Sequence, residues 1–434
     1  MTGALPDLLH NPAGLVAADR AGLLPAAATA GAQLRALADQ LALLPELDRP
    51  RALLVVGSSA AADAALLMAL VGGTASAPIV WAPELPAWVG PLDVVLVLAD
   101  QPHDEVATVA AATAARRGAQ LIVRCAVAAE AEMGAAAPGA VLLPPSVAVP
   151  ESLAGPARLA LSVAVAHRCG LLAEPDLAAW ADALDTAALA CHPSAEMFVN
   201  PALSLAEWLT VGTALLIGTD PIGDALAAAG AACMAELAGR PAAVLPGAAA
   251  IRSPAVLRRA ATGRDLFAEP LEDGQAPIVP VLVTLDPNSR PARSIGSALS
   301  AAPVVGPDVA AELPTATAPQ PASQSEPEHQ SELARQSEPA RQSEPAKAAE
   351  VLLRLTFAAI YLGLAVGQLA PVDAPDGLGR AGTALGAVRL EDRGAFGPPT
   401  EGRDDDDDRR RGGLGIFEDP SSDGRDESPW GPAG

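Results

Sequence analysis

The sequence has few aromatic side chains: they make up 3% of its 434 residues and include a single tyrosine. Half of the sequence is hydrophobic, so a core must be built from aliphatic residues, chiefly alanine, leucine and valine. A chain of this length and composition can bury one large domain or two of ordinary size.

Cysteine and histidine are also scarce, with four and five residues. The cysteines are far apart and form no CxxC pair: Cys125, Cys169, Cys191 and Cys233. Because zinc ligands usually come in close pairs, we expect no metal site, and nothing in the sequence indicates another cofactor. Thiols at this density suit a reducing compartment, and we expect a cytoplasmic protein.

Basic residues are outnumbered, with 28 Lys and Arg against 51 Asp and Glu, which gives a net charge of −23. A nucleic-acid-binding protein needs a clustered basic surface, so we expect no nucleic-acid partner. Part of the negative charge lies in residues 386–434, which hold thirteen acidic and seven basic side chains. This composition predicts a disordered acidic tail.

Signals for a membrane or for secretion are weak. The first residues, MTGALPDLLHNPAG, lack both a basic region and a long apolar region, so we expect no secretory signal. Residues 351–370 are long and apolar enough to cross a bilayer, with Arg354 and Gln368 near the ends. We expect this segment to be a buried helix of a soluble domain instead, with no membrane partner.

Short apolar runs alternate with alanine-rich helical segments along most of the chain. The predicted strands are 51–57, 77–82, 93–99, 120–126, 140–144, 212–218, 242–246 and 276–286. Continuous apolar strands are typical of parallel sheets buried on both faces. The β-α-β alternation therefore predicts an α/β fold with doubly wound parallel sheets flanked by helices.

The pattern divides the chain into several segments. Residues 287–345 repeat Gln-Ser-Glu-Pro and are poor in apolar residues, which predicts a disordered insertion. The predicted organisation is an N-terminal helical segment (1–50), a first α/β domain (51–150), inter-domain helices (151–194), a second α/β domain (195–286 and 346–385), the insertion (287–345) and the acidic tail (386–434).

Several stretches, taken in their order along the chain, resemble a known family. They are PELPAWVGPLDVVLVLA, ARRGAQLIV, GPARLALSVAV, NPALSLAEWLTVGTALLIG, AELAGRPAAV and VLLRLTFAAIYLGLAVG. They resemble the bifunctional phosphoglucose/phosphomannose isomerases, which are built from two SIS (sugar isomerase) domains. The likeness is closest to the actinobacterial TobH-like branch.

This resemblance implies a chemistry and a set of residues. Such enzymes move a proton between C1 and C2 of a sugar phosphate through an enediol, which requires a carboxylate base. By position, Glu236 is the candidate base, Arg158 a candidate substrate contact and Asn200 a candidate ligand-binding residue. Glu236 is equally a charged residue near a helix end, and Arg158 is equally an arginine that caps a helix.

The residues themselves indicate two further ligand-binding positions. Gly57, Ser58 and Ser59 follow the first strand, where a turn can cradle an anion at the start of a helix, although such glycine turns are also common without a ligand. Thr219 ends a strand of the second half, and open α/β sheets bind ligands at that edge. Asp220, which follows Thr219, is equally a good helix cap.

The family's phosphate loop is altered in this chain. Where the family has Ser-Tyr-Ser-Gly-Asn-Thr-Glu-Glu-Thr, this sequence has Ala99, Asp100, Gln101, Pro102, His103, Asp104, Glu105, Val106 and Ala107. The hydroxyls are gone, Pro102 has no N–H to donate, and Asp104 adds a carboxylate. A like charge at ~4 Å costs about 4 kcal/mol at an effective dielectric constant near 20. We therefore expect a degenerate loop, unless Asp104 caps the next helix and His103 supplies positive charge at acidic pH.

The catalytic segment is also incomplete. The asparagines beside the family's base are replaced by Ala235 and Leu237, and Leu203 replaces an expected lysine. No histidine occurs between His192 and His329. Arg252 lies near the position of the family's histidine, but an arginine stays charged and is a poor proton donor.

Three hypotheses follow. The first is a SIS-fold protein that binds a sugar phosphate or a similar small anion, with weak or absent isomerase activity. The second is an active aldose-ketose isomerase whose missing groups lie elsewhere, and the third is a scaffold or regulatory protein that uses the insertion and the tail. SIS proteins commonly dimerise, so we expect a homodimer, in which His10 or His167 of a second chain is a candidate acid.

Overall fold

The computed structural model describes residues 8–42, 44–73, 75–99, 101, 103–262, 277–299, 302–307 and 343–367. The predicted tail and most of the predicted Gln-Ser-Glu-Pro insertion lie outside these residues.

Helices begin the described chain and separate its two sheets. The first group is α1 (Pro12–Ala18), α2 (Leu23–Ala27) and α3 (Ala30–Leu41). The first sheet and its helices follow in the order β1 (Leu53–Val56), α4 (Ala61–Val71), β2 (Ile79–Ala82), β3 (Val94–Leu98), α5 (Glu105–Arg116), β4 (Gln120–Arg124), α6 (Glu130–Ala136) and β5 (Val141–Leu142). The helices between the sheets are α7 (Gly155–Arg168), α8 (Leu177–Ala190) and α9 (Pro201–Leu209).

The second sheet repeats the alternation. Its elements are β6 (Thr213–Gly218), α10 (Pro221–Ala238), β7 (Ala243–Leu245), α11 (Gly247–Arg252), α12 (Pro254–Thr262), β8 (Ile278–Val283), α13 (Arg290–Leu299) and β9 (Val304–Val305). A long helix, α14 (Glu344–Val366), follows.

All pairings in both sheets are parallel. The first sheet has the order β2-β1-β3-β4-β5 and the second the order β7-β6-β8-β9. Every residue of β1 and β3 is buried, because helices cover both faces of the sheet. The predicted α/β fold, with parallel sheets flanked by helices, is confirmed.

One boundary of the predicted organisation was wrong. The disordered insertion was predicted to begin at residue 287, but helix α13 and strand β9 lie within its first twenty residues. Ala292, Ile295 and Leu299 of α13 are buried, with the spacing of one helix face, and β9 pairs with β8. These elements complete the second sheet.

Helix α14 lies at the centre of the described structure. By length and composition it could cross a membrane, but 94% of its 18-residue apolar segment is buried inside the protein. It packs against α7, α8, α9 and α10, and the Tyr361 hydroxyl donates to the carbonyl oxygen of Cys191 at 2.7 Å. This agrees with the expectation of a buried core helix.

The central position of α14 predicts a large effect of truncating one of its leucines. Leu355 is fully buried, and Leu355→Ala should lower the free energy of unfolding by about 2–5 kcal/mol. The control is the same change at Leu189 on α8, which is 74% exposed and should cost less than about 0.5 kcal/mol. Urea denaturation of both variants measures the difference, and equal midpoints would contradict the central role of α14.

Candidate functional site

Each sheet has one crevice at which a ligand is expected. In the first sheet β1 lies between β2 and β3, and in the second β6 lies between β7 and β8. In each sheet the chain passes from the first strand to a neighbour on one side and then crosses to a neighbour on the other side, so the strand order reverses at the first strand. Open α/β sheets bind ligands at the carboxyl ends of such strand pairs, which here are β1/β3 and β6/β8.

Groups at the crevice of the second sheet have partners within the protein. The buried Thr219 hydroxyl lies 2.8 Å from the hydroxyl of Thr284, and Asp220 caps α10 by accepting from the Gly223 N–H at 2.9 Å. A Cβ atom at Gly247 would lie 2.7 Å from the carbonyl oxygen of Gly218, so α11 begins directly against this edge. Thr219 was expected to bind substrate, but the structure gives it a partner inside the protein.

The crevice of the first sheet has an exposed turn on the β1 side. Gly57 lies where the ends of β1 and β3 come close together, since a Cβ atom there would be 2.5 Å from the carbonyl oxygen of Leu98. Ser58 and Ser59 follow with exposed side chains, and α4 begins two residues later. Its N-cap residue, Ala60, has no side chain that could accept from the first-turn N–H groups.

A tryptophan lies at the same turn. The indole N–H of Trp81, on β2, donates to the carbonyl oxygen of Gly57 at 3.2 Å. The side chain remains 37% exposed in a chain with few aromatic residues. An amphipathic ring held in this way offers an apolar face beside the polar turn.

A carboxylate of the protein lies on the β3 side of the crevice. Oδ1 of Asp104 accepts from the Ala107 N–H at 2.9 Å, and the Asp104 carbonyl oxygen accepts from the Thr108 N–H at 2.9 Å. Asp104 is therefore the N-cap of α5, which is one of the two conditions of the alternative. The other condition was that His103 offsets this carboxylate with a positive charge, and the cap alone does not supply that charge. The exposed His103 lies 3.6 Å from a carboxylate oxygen of Glu132. Of the other loop residues, Ala99 is buried, Gln101 is exposed and Pro102 lies outside the described residues.

Arg158 reaches the amino end of α4 from helix α7. Its Nε atom lies 3.1 Å from a carboxylate oxygen of Asp63, in the first turn of α4. Its Nη1 atom donates to the backbone carbonyl of Glu151 at 2.7 Å and lies 3.5 Å from the side chain of that residue. Glu151 also contacts Arg124, at the end of β4, at 3.0 Å. A chain of ion pairs thus runs from Arg124 through Glu151 and Arg158 to Asp63.

Glu236 lies close to this network, near the end of α10. Removal of its carboxyl group from water raises its pKa, the charge of Arg158 and a hydrogen bond with Ser152 oppose the rise, and the charge of Glu151 adds to it. Glu236 is nevertheless exposed to solvent when the whole residue is considered. The charge of Arg158 therefore acts on Glu236, the other residue that the resemblance selected. A raised pKa makes an ionised carboxylate a stronger proton acceptor.

Asn200 has a structural position. It is fully buried and caps α9, where its Oδ1 atom accepts from the N–H groups of Ala202 and Leu203 at 3.1 and 3.0 Å. Its Nδ2 atom donates to the carbonyl oxygen of His192 at 3.0 Å. The resemblance assigned Asn200 to a ligand, but all these partners are backbone groups of the protein.

Sequence reasoning missed the other members of the ion-pair chain that contains Arg158, which are Asp63, Glu151 and Arg124. Asp63 and Arg158 are 95 residues apart, so no local pattern connects them. Within the part of the chain that the structure describes, no three His, Cys, Asp or Glu side chains are grouped to hold a metal ion.

Comparison with known proteins identifies the fold. No protein-family model matches the sequence, and no curated protein is similar to it. The structure is similar to that of a hypothetical protein from Thermus thermophilus, with 13% identity and a TM-score of 0.53 over 89% of this chain and 95% of that chain. This likeness shows that the two chains share a fold.

Two further solved structures align at lower scores. The C-terminal domain of glucosamine-fructose-6-phosphate aminotransferase from Francisella tularensis gives a TM-score of 0.49 with 10% identity, over 80% of this chain and 97% of that chain. A glucose-6-phosphate isomerase like protein from Thermus thermophilus gives 0.42 with 19% identity, over 77% and 90%. At these scores the likeness supports no conclusion about activity.

The capping role of Asp104 can be tested by stability. Asp104→Ala should lower the free energy of unfolding by about 1 kcal/mol, because the first turn of α5 loses its acceptor. Asp104→Ser should stay close to the wild type, since serine caps helices about as well as aspartate. Denaturant titration of both variants distinguishes them, and equal losses would argue against the cap.

Proposed function

We propose that the chain is a SIS-fold protein that binds a carbohydrate derivative, with a sugar phosphate as ligand, and has weak or no aldose-ketose isomerase activity. In this proposal it descends from the bifunctional phosphoglucose/phosphomannose isomerases and stands closest to the TobH-like branch. The observation that carries the proposal is the Asp104 cap. A carboxylate of the protein caps the helix end at which the family's loop binds phosphate.

The retained binding site would be the exposed turn on the other side of the crevice. Ser58 and Ser59 offer two hydroxyl groups, and the first turn of α4 offers N–H groups that Ala60 cannot cap. Hydroxyls and backbone amides at the amino end of a helix favour a phosphate group. Arg158 reaches the same helix end, and the partly exposed Trp81 gives a face against which a sugar ring can pack.

The loss of turnover follows from the missing proton donor. Glu236 can accept a proton, but the sequence has no histidine between residues 192 and 329 to assist ring opening. The exposed Arg252 lies near the family's histidine position and stays charged near neutral pH. Proton transfer by a positioned group contributes about 10²–10⁴-fold to the rate, so its loss leaves little activity.

The cellular setting is part of the same proposal. We propose a cytoplasmic homodimer with no nucleic-acid or membrane partner. If the protein turns over a hexose phosphate, an exposed histidine of a second copy is the candidate for the missing acid. His10 is half exposed and lies 3.4 Å from Glu207, whereas Nδ1 of His167 lies 3.1 Å from the carbonyl oxygen of Leu172. His10 is therefore the better candidate.

Ligand binding can be tested on the full chain by thermal unfolding. Glucose 6-phosphate, mannose 6-phosphate and fructose 6-phosphate should raise the unfolding temperature, because a ligand that binds only the native state stabilises it, and glucose at the same concentration should raise it less. The double variant Ser58→Ala/Ser59→Ala should lose the shift.

The matched control is Ser294→Ala/Ser297→Ala, which removes two exposed hydroxyls on α13 and should keep the shift.

A coupled assay for phosphoglucose and phosphomannose isomerisation accompanies the binding experiment. Absence of any shift with all three phosphosugars would refute binding, and turnover at ordinary enzyme rates would refute the loss of activity.

An active isomerase is the second candidate, and the effect of the Arg158 charge on Glu236 favours it. If the protein turns over a hexose phosphate, Glu236→Gln should lower kcat at least about 10²-fold, because the amide cannot accept the carbon proton. The control is Glu174→Gln at an exposed position, which should leave kcat unchanged. An unchanged rate in Glu236→Gln would end this hypothesis.

A further inference from the structure

Arg158 contacts the first turn of α4, the helix that follows the proposed binding turn, and the protein itself supplies carboxylates to it. Its guanidinium Nε lies 3.1 and 3.3 Å from the two carboxylate oxygens of Asp63. The side chains of Arg158 and Asp63 are only 18% and 10% exposed, so solvent and salt screen this pair weakly. A phosphate that approaches Arg158 therefore meets a charge that is already balanced.

The wider network is not positive either. It contains two arginines, Arg124 and Arg158, and three carboxylates, Asp63, Glu151 and Glu236. With all five groups ionised, two positive charges and three negative charges sum to −1. A site that attracts an anion strongly would carry a net positive charge.

We propose that Asp63 is the residue that limits the affinity and the selectivity of this site for anionic sugars, by neutralising Arg158 at the amino end of α4. The inference rests on the proposed function, since it concerns the same site. Asp63 acts through Arg158 and is a positioning residue in this scheme. A neutral sugar does not depend on this charge, so Asp63 narrows the difference in affinity between phosphorylated and unphosphorylated ligands.

The substitution Asp63→Asn separates charge from position. Asparagine has nearly the same shape, and its Oδ1 atom can still accept a hydrogen bond from Nε of Arg158. The negative charge is removed and one of the two acceptor oxygens near Nε becomes an NH2 group, while the sum over the network rises from −1 to 0. Asp63→Ala would remove the acceptor as well and would release the guanidinium group.

Calorimetric titration of the full chain with glucose 6-phosphate tests the proposal. Asp63→Asn should lower the Kd for glucose 6-phosphate about tenfold, because the removed carboxylate no longer balances Arg158 or repels the phosphate group. It should leave the weak binding of glucose unchanged. The matched control is Asp182→Asn, which removes a carboxylate 2.7 Å from Arg35 at an exposed position and should keep the wild-type Kd.

The outcomes separate this inference from the proposed function. If the wild type binds glucose 6-phosphate and Asp63→Asn binds it equally or more weakly, the role of Asp63 is refuted and the binding function stands. If neither protein binds, both are refuted. If Asp63→Asn does not fold, Glu151→Gln removes the other carboxylate beside Arg158 and should give the same direction of change. A Kd unchanged in that variant would overturn the inference.

Discussion

The free N–H groups at the amino end of a helix favour a negative charge, and in this protein a carboxylate of the chain occupies the amino end of α5. Asp104 accepts the hydrogen bond that the Ala107 N–H would otherwise offer to a ligand, and its charge opposes the approach of a second anion. The parallel strands still bring the crevice of the first sheet to this helix end. What remains accessible there is the turn at Ser58 and Ser59, and the function proposed above follows from that asymmetry.

The packing of the scaffold depends little on which polar side chains lie at the crevices. The two sheets and the helices around α14 are held together by aliphatic packing, and small residues allow close contact between the helices. Gly230 of α10 is an example, because a Cβ atom there would lie 3.0 Å from Leu355. The hydroxyls of a phosphate loop contribute nothing to this packing. A chain can therefore keep its fold while a catalytic loop loses its chemistry.

The sequence predicted the central strands well, for a physical reason. A strand buried on both faces is a continuous apolar run, and the prediction 93–99 contains β3, Val94–Leu98. Helix α13 was missed because its three buried residues lie in a stretch rich in polar residues and proline next to a low-complexity repeat. The cap by Asp104 is a local interaction and could be predicted as an alternative. The pairing of Asp63 with Arg158 depends on how α4 and α7 pack, which a local pattern cannot give.

Three helix ends at the two crevices show how the protein treats negative charge. Asp220 caps α10 and Asp104 caps α5, whereas α4 has only Ala60 at that position. Asp63 lies within the first turn of α4, where it favours the helix and also balances Arg158. Each carboxylate lowers the electrostatic attraction for a phosphate near its helix end. Any anion that binds must then gain most of its affinity from hydrogen bonds at the α4 turn and from contacts of the sugar ring, and the sugar part of the ligand becomes the main source of specificity.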